Sequence, residues 1–266
     1  KNQFSNVKTE NASKEINQAY KSQITQQFAT EVNPDVTQLN QIKLFDIKTS
    51  VLDYVNRIAN LSIMLRKHFR GYPELISFSS KFFYGGALQA IKIRGKPIQE
   101  VLSFHPVENN LKELKGNIND PEANKIIDRL REIQKSDAYK DVCVITPFRD
   151  QQKHILSLIQ KESDGLSLVE NLNLRIFTFD TCQGEEADVV IYSMVANQDK
   201  DQTNFIFPKN LEQSEDVEEN LRLQRLNVGF SRAKERIEIY HSKPLEEFKG
   251  SLRTALLHFK NQLNLS

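Results

Sequence analysis

Cysteine is nearly missing from this chain: of 266 residues, only Cys143 and Cys182 carry thiols. Neither stands in a metal-like spacing. That leaves no disulfide framework to read and points to a reducing compartment, with Cys143 a small core residue inside an apolar run. Net charge is also missing. Lys and Arg number 36 against 35 Asp and Glu, so any basic surface has to arise by local clustering. Long hydrophobic runs are absent too. The stretch from Val189 to Ala196, among the longest, is far too short to cross a bilayer, and nothing reads as a signal peptide. These absences make a cytoplasmic chain the expectation. No internal repeat is visible. No G-x-x-x-x-G-K-[ST] phosphate loop occurs, nor an acidic magnesium-binding motif after a strand.

What is present alternates between two periods. Residues 1–41 are polar, with weak helical periodicity around Ile16 to Phe28, and read as a connector or arm. From residue 42 to 266 the texture is that of a core. The pattern predicts helices from Val51, over Pro73–Tyr84, Pro121–Gln134, Arg149–Lys161 and Leu245–Leu263. Strands are expected at Ile63–Leu65, Ala87–Ile93, Ile98–Phe104, Asp141–Thr146, Leu174–Phe179, Val189–Val195 and Ile237–His241. Strands alternating with helices argue for a parallel sheet covered on both faces, and ligands of such sheets sit at the carboxyl ends of the strands.

Two stretches carry chemistry. Arg225-Leu226-Asn227-Val228-Gly229-Phe230-Ser231-Arg232-Ala233-Lys234 reads as a helix with an apolar stripe (Leu223, Leu226, Phe230, Ala233) beside a basic one (Arg222, Arg225, Gly229, Arg232). Guanidinium forks on one face suit phosphate oxygens. The plainer reading is a solvated basic face. The second stretch, Thr178-Phe179-Asp180-Thr181-Cys182-Gln183-Gly184-Glu185-Glu186-Ala187-Asp188, joins two buried strands. Gly184 lets backbone approach a phosphate, and Glu186 is a candidate acceptor for sugar hydroxyls. A metal cluster of Asp180, Glu185, Glu186 and Asp188 lacks a His or an upstream carboxylate partner, so no metal site is assigned.

Together these stretches resemble motifs V and VI of superfamily 1 helicases, nearest in form to the 5′-to-3′ branch with the nonsense-decay RNA helicases and Dna-type helicase-nucleases. Leu65-Arg66-Lys67-His68-Phe69-Arg70-Gly71-Tyr72-Pro73 is similar to motif IV, and Val144-Ile145-Thr146-Pro147-Phe148-Arg149-Asp150-Gln151 to the T-P-[YF]-x-x-Q segment. Lys1-Asn2-Gln3-Phe4 resembles the tail of motif III. The chain departs by Gly229 for the usual Ala and Ser231 for the usual Thr.

The resemblance implies an α/β, RecA-like fold without its own Walker A loop, the second motor domain of an ATP-dependent helicase or translocase. It makes Arg70 and Arg232 arginine fingers for the γ-phosphate and Gln3 a γ-phosphate sensor. Gly184 and Glu186 would contact phosphate and ribose. Arg225 would either bind phosphate or brace motif V. Thr146, Thr178 and Gln151 would hold the backbone of single-stranded DNA or RNA. ATP and Mg²⁺ are implied, with the Mg²⁺ ligands on a first RecA-like domain that is also the expected partner. The chain alone should turn over little ATP. The competing expectation is a RecA-like platform that binds nucleic acid or protein without turnover. A nuclease would need clustered carboxylates with a nearby lysine, and no convincing set is visible.

Overall fold

The computed structural model describes residues 10–31, 52, 55, 61, 63–109, 116–212 and 217–264. The chain divides into two compact units, Lys1–Leu65 and Arg66–Ser266, so the change of texture near residue 42 lies inside the first. That unit contributes helix α1 (Glu10–Glu31), whose described side chains are exposed or half-exposed. The tail-of-motif-III stretch, including Gln3, lies outside the described residues. Ile63, Met64 and Leu65 form no strand and are exposed; among the described residues no strand lies beside them to pair with.

The second unit opens with a two-stranded parallel ribbon, β1 (Lys67–His68) and β2 (Gln89–Ala90), around helix α2 (Pro73–Phe83). Pro73 starts the helix, where a missing N–H is harmless, and Gly85 and Gly86, at φ +57° and +75°, end it. Then follow β3 (Leu102–Pro106), α3 (Asp120–Ser136), β4 (Val142–Thr146), α4 (Arg149–Lys161), α5 (Gly165–Asn171), β5 (Arg175–Thr178), β6 (Ala187–Asn197), α6 (Val217–Phe230), β7 (Ala233–Ser242) and α7 (Gly250–Asn264). Five strands form one parallel sheet in the order β3-β7-β6-β4-β5.

The middle strands are apolar on both faces, as a sheet covered on both sides requires. Every residue of β4 is buried. Cys143, Ile145, Val190, Tyr192, Ile237 and Ile239 pack with α2, α6 and α7 through Phe78, Phe230 and Phe259. Val142, Val144, Val189 and Ile191 pack with α3, α4 and α5 through Ile126, Leu130, Ile155 and Leu168. The fold is thus α/β and RecA-like in architecture.

Several boundaries differ from the periodicity. Ile98–Glu100 is a 3₁₀ turn after Pro97, and the strand begins only at Leu102. Helix α5 has seven residues, too few to display a period. The stretch Arg225–Lys234 is not one helix: α6 ends at Phe230, and Ala233 is the first residue of β7, paired with Ala187. The break follows from the end of α6. Ser231 N–H and the Arg232 Nε both donate to the Val228 carbonyl, at 3.2 and 2.7 Å, so a side chain takes an acceptor that a further turn would have used.

Candidate nucleotide-facing site

The crossing from β5 to β6 organises the site. It leaves Thr178 at the carboxyl end of β5 and enters β6 at Ala187, at the amino end of the sheet. Residues 179–186 therefore traverse one sheet face, anchored by Phe179 and Cys182, both buried. The sheet-end rule placed ligands at the carboxyl ends. Arg70 and Arg232 gather instead beside the amino ends of β6 and β7, opposite the end that rule favours.

There, motif IV, motif V and the end of α6 meet. The Arg70 Nε lies 2.5 Å from Glu186 Oε2, with both side chains about two-fifths exposed. The Arg232 Nη1 donates to the Glu185 carbonyl at 3.0 Å and Nη2 to Ser231 Oγ at 2.8 Å. Ala187 N–H donates to the Arg232 carbonyl at 3.2 Å. A Cβ on Gly71, the residue after Arg70, would lie 3.1 Å from the Ala233 carbonyl oxygen. Arg70, Glu186 and Arg232 thus come from three separate segments to one corner. Gly184 has φ +85°, and a Cβ there would meet nothing within 4 Å. The corner therefore has a left-handed turn with open space in front of it, room that a phosphate or sugar can use.

Arg225 pairs with the same connecting segment. Its Nε is 2.9 Å from Asp180 Oδ1, a contact of the kind that bracing motif V against α6 needs. Arg222 pairs with Glu218 and Glu219 on its own helix. Gly229 does not lie bare toward an anion: a Cβ there would sit 2.1 Å from the Phe179 ring, and its carbonyl accepts from the Tyr192 hydroxyl at 2.7 Å. The basic stripe read along one helix is corrected accordingly. His68 Nε2 accepts from Gly71 N–H at 3.2 Å. Burial, then the charge of Arg70, lowers its pKa against the opposing pull of Glu186, which suits a neutral acceptor shaping the motif IV turn.

Sequence reasoning missed Arg175. It opens β5 and holds the same corner from below. Its Nη1 donates to Glu185 Oε2 at 2.6 Å, and its Nη2 donates to the Glu186 carbonyl at 2.8 Å and pairs with Asp141. Lys234 bridges Asp141 and Asp188 at 3.2 and 3.0 Å. A charged residue at the mouth of an otherwise buried strand was the available signal.

The nucleic-acid candidates lie at the other end of the sheet. Thr146 and Thr178 end β4 and β5 opposite each other. Both are buried, and Thr146 Oγ1 has no hydrogen-bond partner among the described residues. The first turn of α4 follows Thr146 directly, with no side-chain cap at Phe148 and with Arg149 exposed. Gln151 is fully enclosed. Its Oε1 accepts from Asn119 N–H at 2.8 Å, and its Nε2 donates to the Asn119 carbonyl at 2.9 Å and to Ser193 Oγ at 3.1 Å. As it stands it offers no group to a strand. That amide belongs to a buried network around Glu122, which the periodicity of α3 did not reveal. The Glu122 carboxylate accepts from Ser193 Oγ, Val195 N–H and Ser242 Oγ at 2.7, 2.9 and 2.9 Å. Burial raises its pKa to about 7 even though those donors pull it down. The network holds Val195 at φ +67°, a conformation strained for a β-branched residue.

A RecA-like sheet with the segments resembling motifs IV, V and VI meeting at one corner has the architecture of a helicase-type domain. Residues 47–242 match the AAA_12 family model, described as an AAA domain, and the chain belongs to that family. It is a RecA-like domain of the superfamily 1 helicase type. Among curated relatives it is 24% identical over 219 residues to an uncharacterized ATP-dependent helicase, MG140, of Mycoplasma genitalium, with 78% of this chain and 18% of the relative covered. It is 28% identical over 211 residues to a regulator of nonsense transcripts 1 homolog of Drosophila melanogaster, covering 73% and 16%. The chain spans less than a fifth of either relative's length. A solved structure, the C-terminal domain of a possible DNA helicase from Lactobacillus plantarum WCFS1, is 12% identical with a TM-score of 0.37, covering 70% of this chain and 91% of that one; at that score the likeness carries no argument. Among the described residues no helix is long and apolar enough to cross a membrane.

Proposed function

We propose that the chain is the second RecA-like motor domain of an ATP-dependent helicase or translocase acting on single-stranded nucleic acid. In this reading the corner of Arg70, Gly184, Glu186 and Arg232 faces ATP bound on a first RecA-like domain, which supplies the phosphate loop and the Mg²⁺ ligands. The observation that carries it is the convergence of Arg70 and Arg232, from segments far apart in sequence, on the adjacent residues Glu186 and Glu185.

Charge spreads over the phosphoryl oxygens in the transition state, and fixed guanidinium groups stabilise it in a cleft that excludes water. Arg232 is pre-positioned by its bonds to Val228, Glu185 and Ser231. Turning its terminal nitrogens to a phosphate exchanges neutral acceptors for a charged one, whose paired oxygens match the planar guanidinium fork. Glu186 would accept from ribose hydroxyls, and the open face of Gly184 would admit the phosphate chain. The strand would lie across the carboxyl ends at Thr146 and Thr178, held by phosphate contacts without sequence preference. Domain closure on ATP would then move this grip relative to one on the first domain.

The test uses the longer protein that contains both motor domains. Arg232→Ala should lower ATP turnover by about 10³- to 10⁵-fold while nucleotide affinity changes little. Arg232→Lys should not restore turnover, because an ammonium lacks the planar fork. Undiminished turnover in Arg232→Ala refutes the assignment. Strand binding by a wild-type protein that shows no turnover favours the platform reading.

A further inference from the structure

Three consecutive residues after β6 meet different fates. Ile206 packs with Phe148 and Val195. Phe207 is buried, its ring edge-on to Phe179 with centroids 4.8 Å apart. Phe205, between them and Asn204, is 72% exposed. A phenyl ring in water forfeits the burial free energy its neighbours gain, so a sequence that builds two anchors here and leaves the Phe205 ring out needs a reason.

The turn that displays the ring is tied down. Asp201 Oδ1 accepts from Thr203 N–H at 2.9 Å and from Thr203 Oγ1 at 2.5 Å, and its other oxygen pairs with the buried Lys243 at 2.5 Å. Asn197 Oδ1 accepts from the N–H groups of Asp199 and Lys200 at 3.1 and 2.8 Å. Phe205 N–H donates to the Gln202 carbonyl, and Phe207 N–H to that of Thr203. The ring is therefore held out by structure rather than by slack.

Its position is set by the two anchors. Phe148 lies two residues after Thr146, and Phe179 one residue after Thr178. The turn is thus fastened beside both threonine strand ends, at the carboxyl edge of the sheet. Arg149 is exposed at the uncapped start of α4, next to Phe148. Cationic and backbone donors for phosphates, with one bare aromatic beside them, match the way single strands are gripped without sequence reading.

We infer that Phe205 is a base-stacking residue, a platform on which one base of the single strand seats while the ends of β4 and β5 hold the backbone. This rests on the nucleic-acid reading above, and the experiment separates the two. The chain contains no tryptophan, so Phe205→Trp places a sole indole at the site. It is titrated with single strands of about twelve nucleotides, DNA and RNA, and with an abasic strand of equal length. Base-bearing strands should quench the indole, and the abasic strand should not. Phe205→Ala should weaken binding of base-bearing strands about 10-fold and leave the abasic strand unaffected, and Phe205→Tyr should retain affinity. Strand binding with indole emission unmoved, or an equal loss on both kinds of strand, overturns the stacking role and leaves the nucleic-acid reading standing. Absence of binding to any strand by the wild-type chain overturns both.

Discussion

Gly229→Ala is the sharpest perturbation the corner offers, because it adds a single methyl where there is no room. The new Cβ would lie 2.1 Å from Phe179 Cδ1 and 2.4 Å from Cε1, whereas carbon atoms in contact sit at about 3.5–4.0 Å. The ring would have to retreat by more than about 1 Å. It has nowhere to go: it is 1% exposed and held by Phe207, Phe230 and Tyr192, at centroid distances of 4.8, 5.4 and 5.9 Å. The helix cannot slide away either without loosening the Tyr192 bond to the Gly229 carbonyl. Overpacking of this kind costs about 1–3 kcal/mol. Replacing Gly by Ala in a helix returns up to about 1 kcal/mol, less in a last turn. The net expectation is a loss of about 1–2 kcal/mol. Phe179→Ala alone should cost about 3–5 kcal/mol through its cavity. In that background the extra methyl enters the vacated space, so Gly229→Ala should become neutral or stabilising. Urea unfolding of the four chains measures the coupling, expected at about 2 kcal/mol. An additive cycle, or a Gly229→Ala chain as stable as wild type, refutes the packing argument.

Two further outcomes follow from the same geometry. Glu122 has a folded pKa of about 7 against an ordinary value of 4.5, so between those values the folded state binds more protons than the unfolded one. Stability then falls as pH rises through that window, by about 3 kcal/mol from this group. Glu122→Gln should flatten that fall, seen as a mutant-minus-wild-type stability that climbs in urea unfolding from below the window to above it; a pH-independent difference contradicts the burial argument. Arg175→Met removes the donors that hold Glu185, the Glu186 carbonyl and Asp141. It should cost about 1–3 kcal/mol in the same assay, and a loss below about 0.5 kcal/mol would show that corner to be held by other contacts.

The elements most legible in the sequence are those whose period runs their full length. Helix α4 is read from Arg149 to Lys161 without error, because its apolar residues recur at helical spacing and no competing pattern overlaps them. β4 and β6 are legible as unbroken apolar runs. The start of β7 is not. Lys234 reads as the end of a helix and Glu235 and Arg236 fall outside the strand expected from Ile237, and only the fold reveals that each is paired, to Asp141 and Asp188, to Lys92, and to Glu238. The candidate site follows the same division. Arg70, Glu186 and Arg232 are legible through their motifs, but Arg175, Asn119 and Glu122 are not. What makes those three matter is the identity of partners between about 10 and 120 residues away, and no local period encodes that.

The crossing from β5 to β6 gives the proposed function its physical economy. Parallel strands are ordinarily joined by a dozen or more residues, usually including a helix. Here residues 179–186 alone span the sheet from Thr178 at one end to Glu186 at the other. Turns closed by Thr181 N–H and Cys182 N–H on the Thr178 carbonyl, and by Glu185 N–H on the Cys182 carbonyl, fix its course, and Phe179 locks its first residue against α6, the helix that runs directly into Arg232. A displacement at the Thr178 end, the proposed strand grip, therefore has few ways to be absorbed before it reaches the corner that holds the two arginines. Coupling requires two arrangements that both ligands bias, and a short, turn-fixed connector packed on one helix is the element in this fold best built to have them. By this reasoning, loosening the crossing with a glycine at Asp180 or Thr181 should weaken the strand-dependence of ATP turnover in the longer protein more than the turnover itself. Equal losses in both would place the coupling elsewhere.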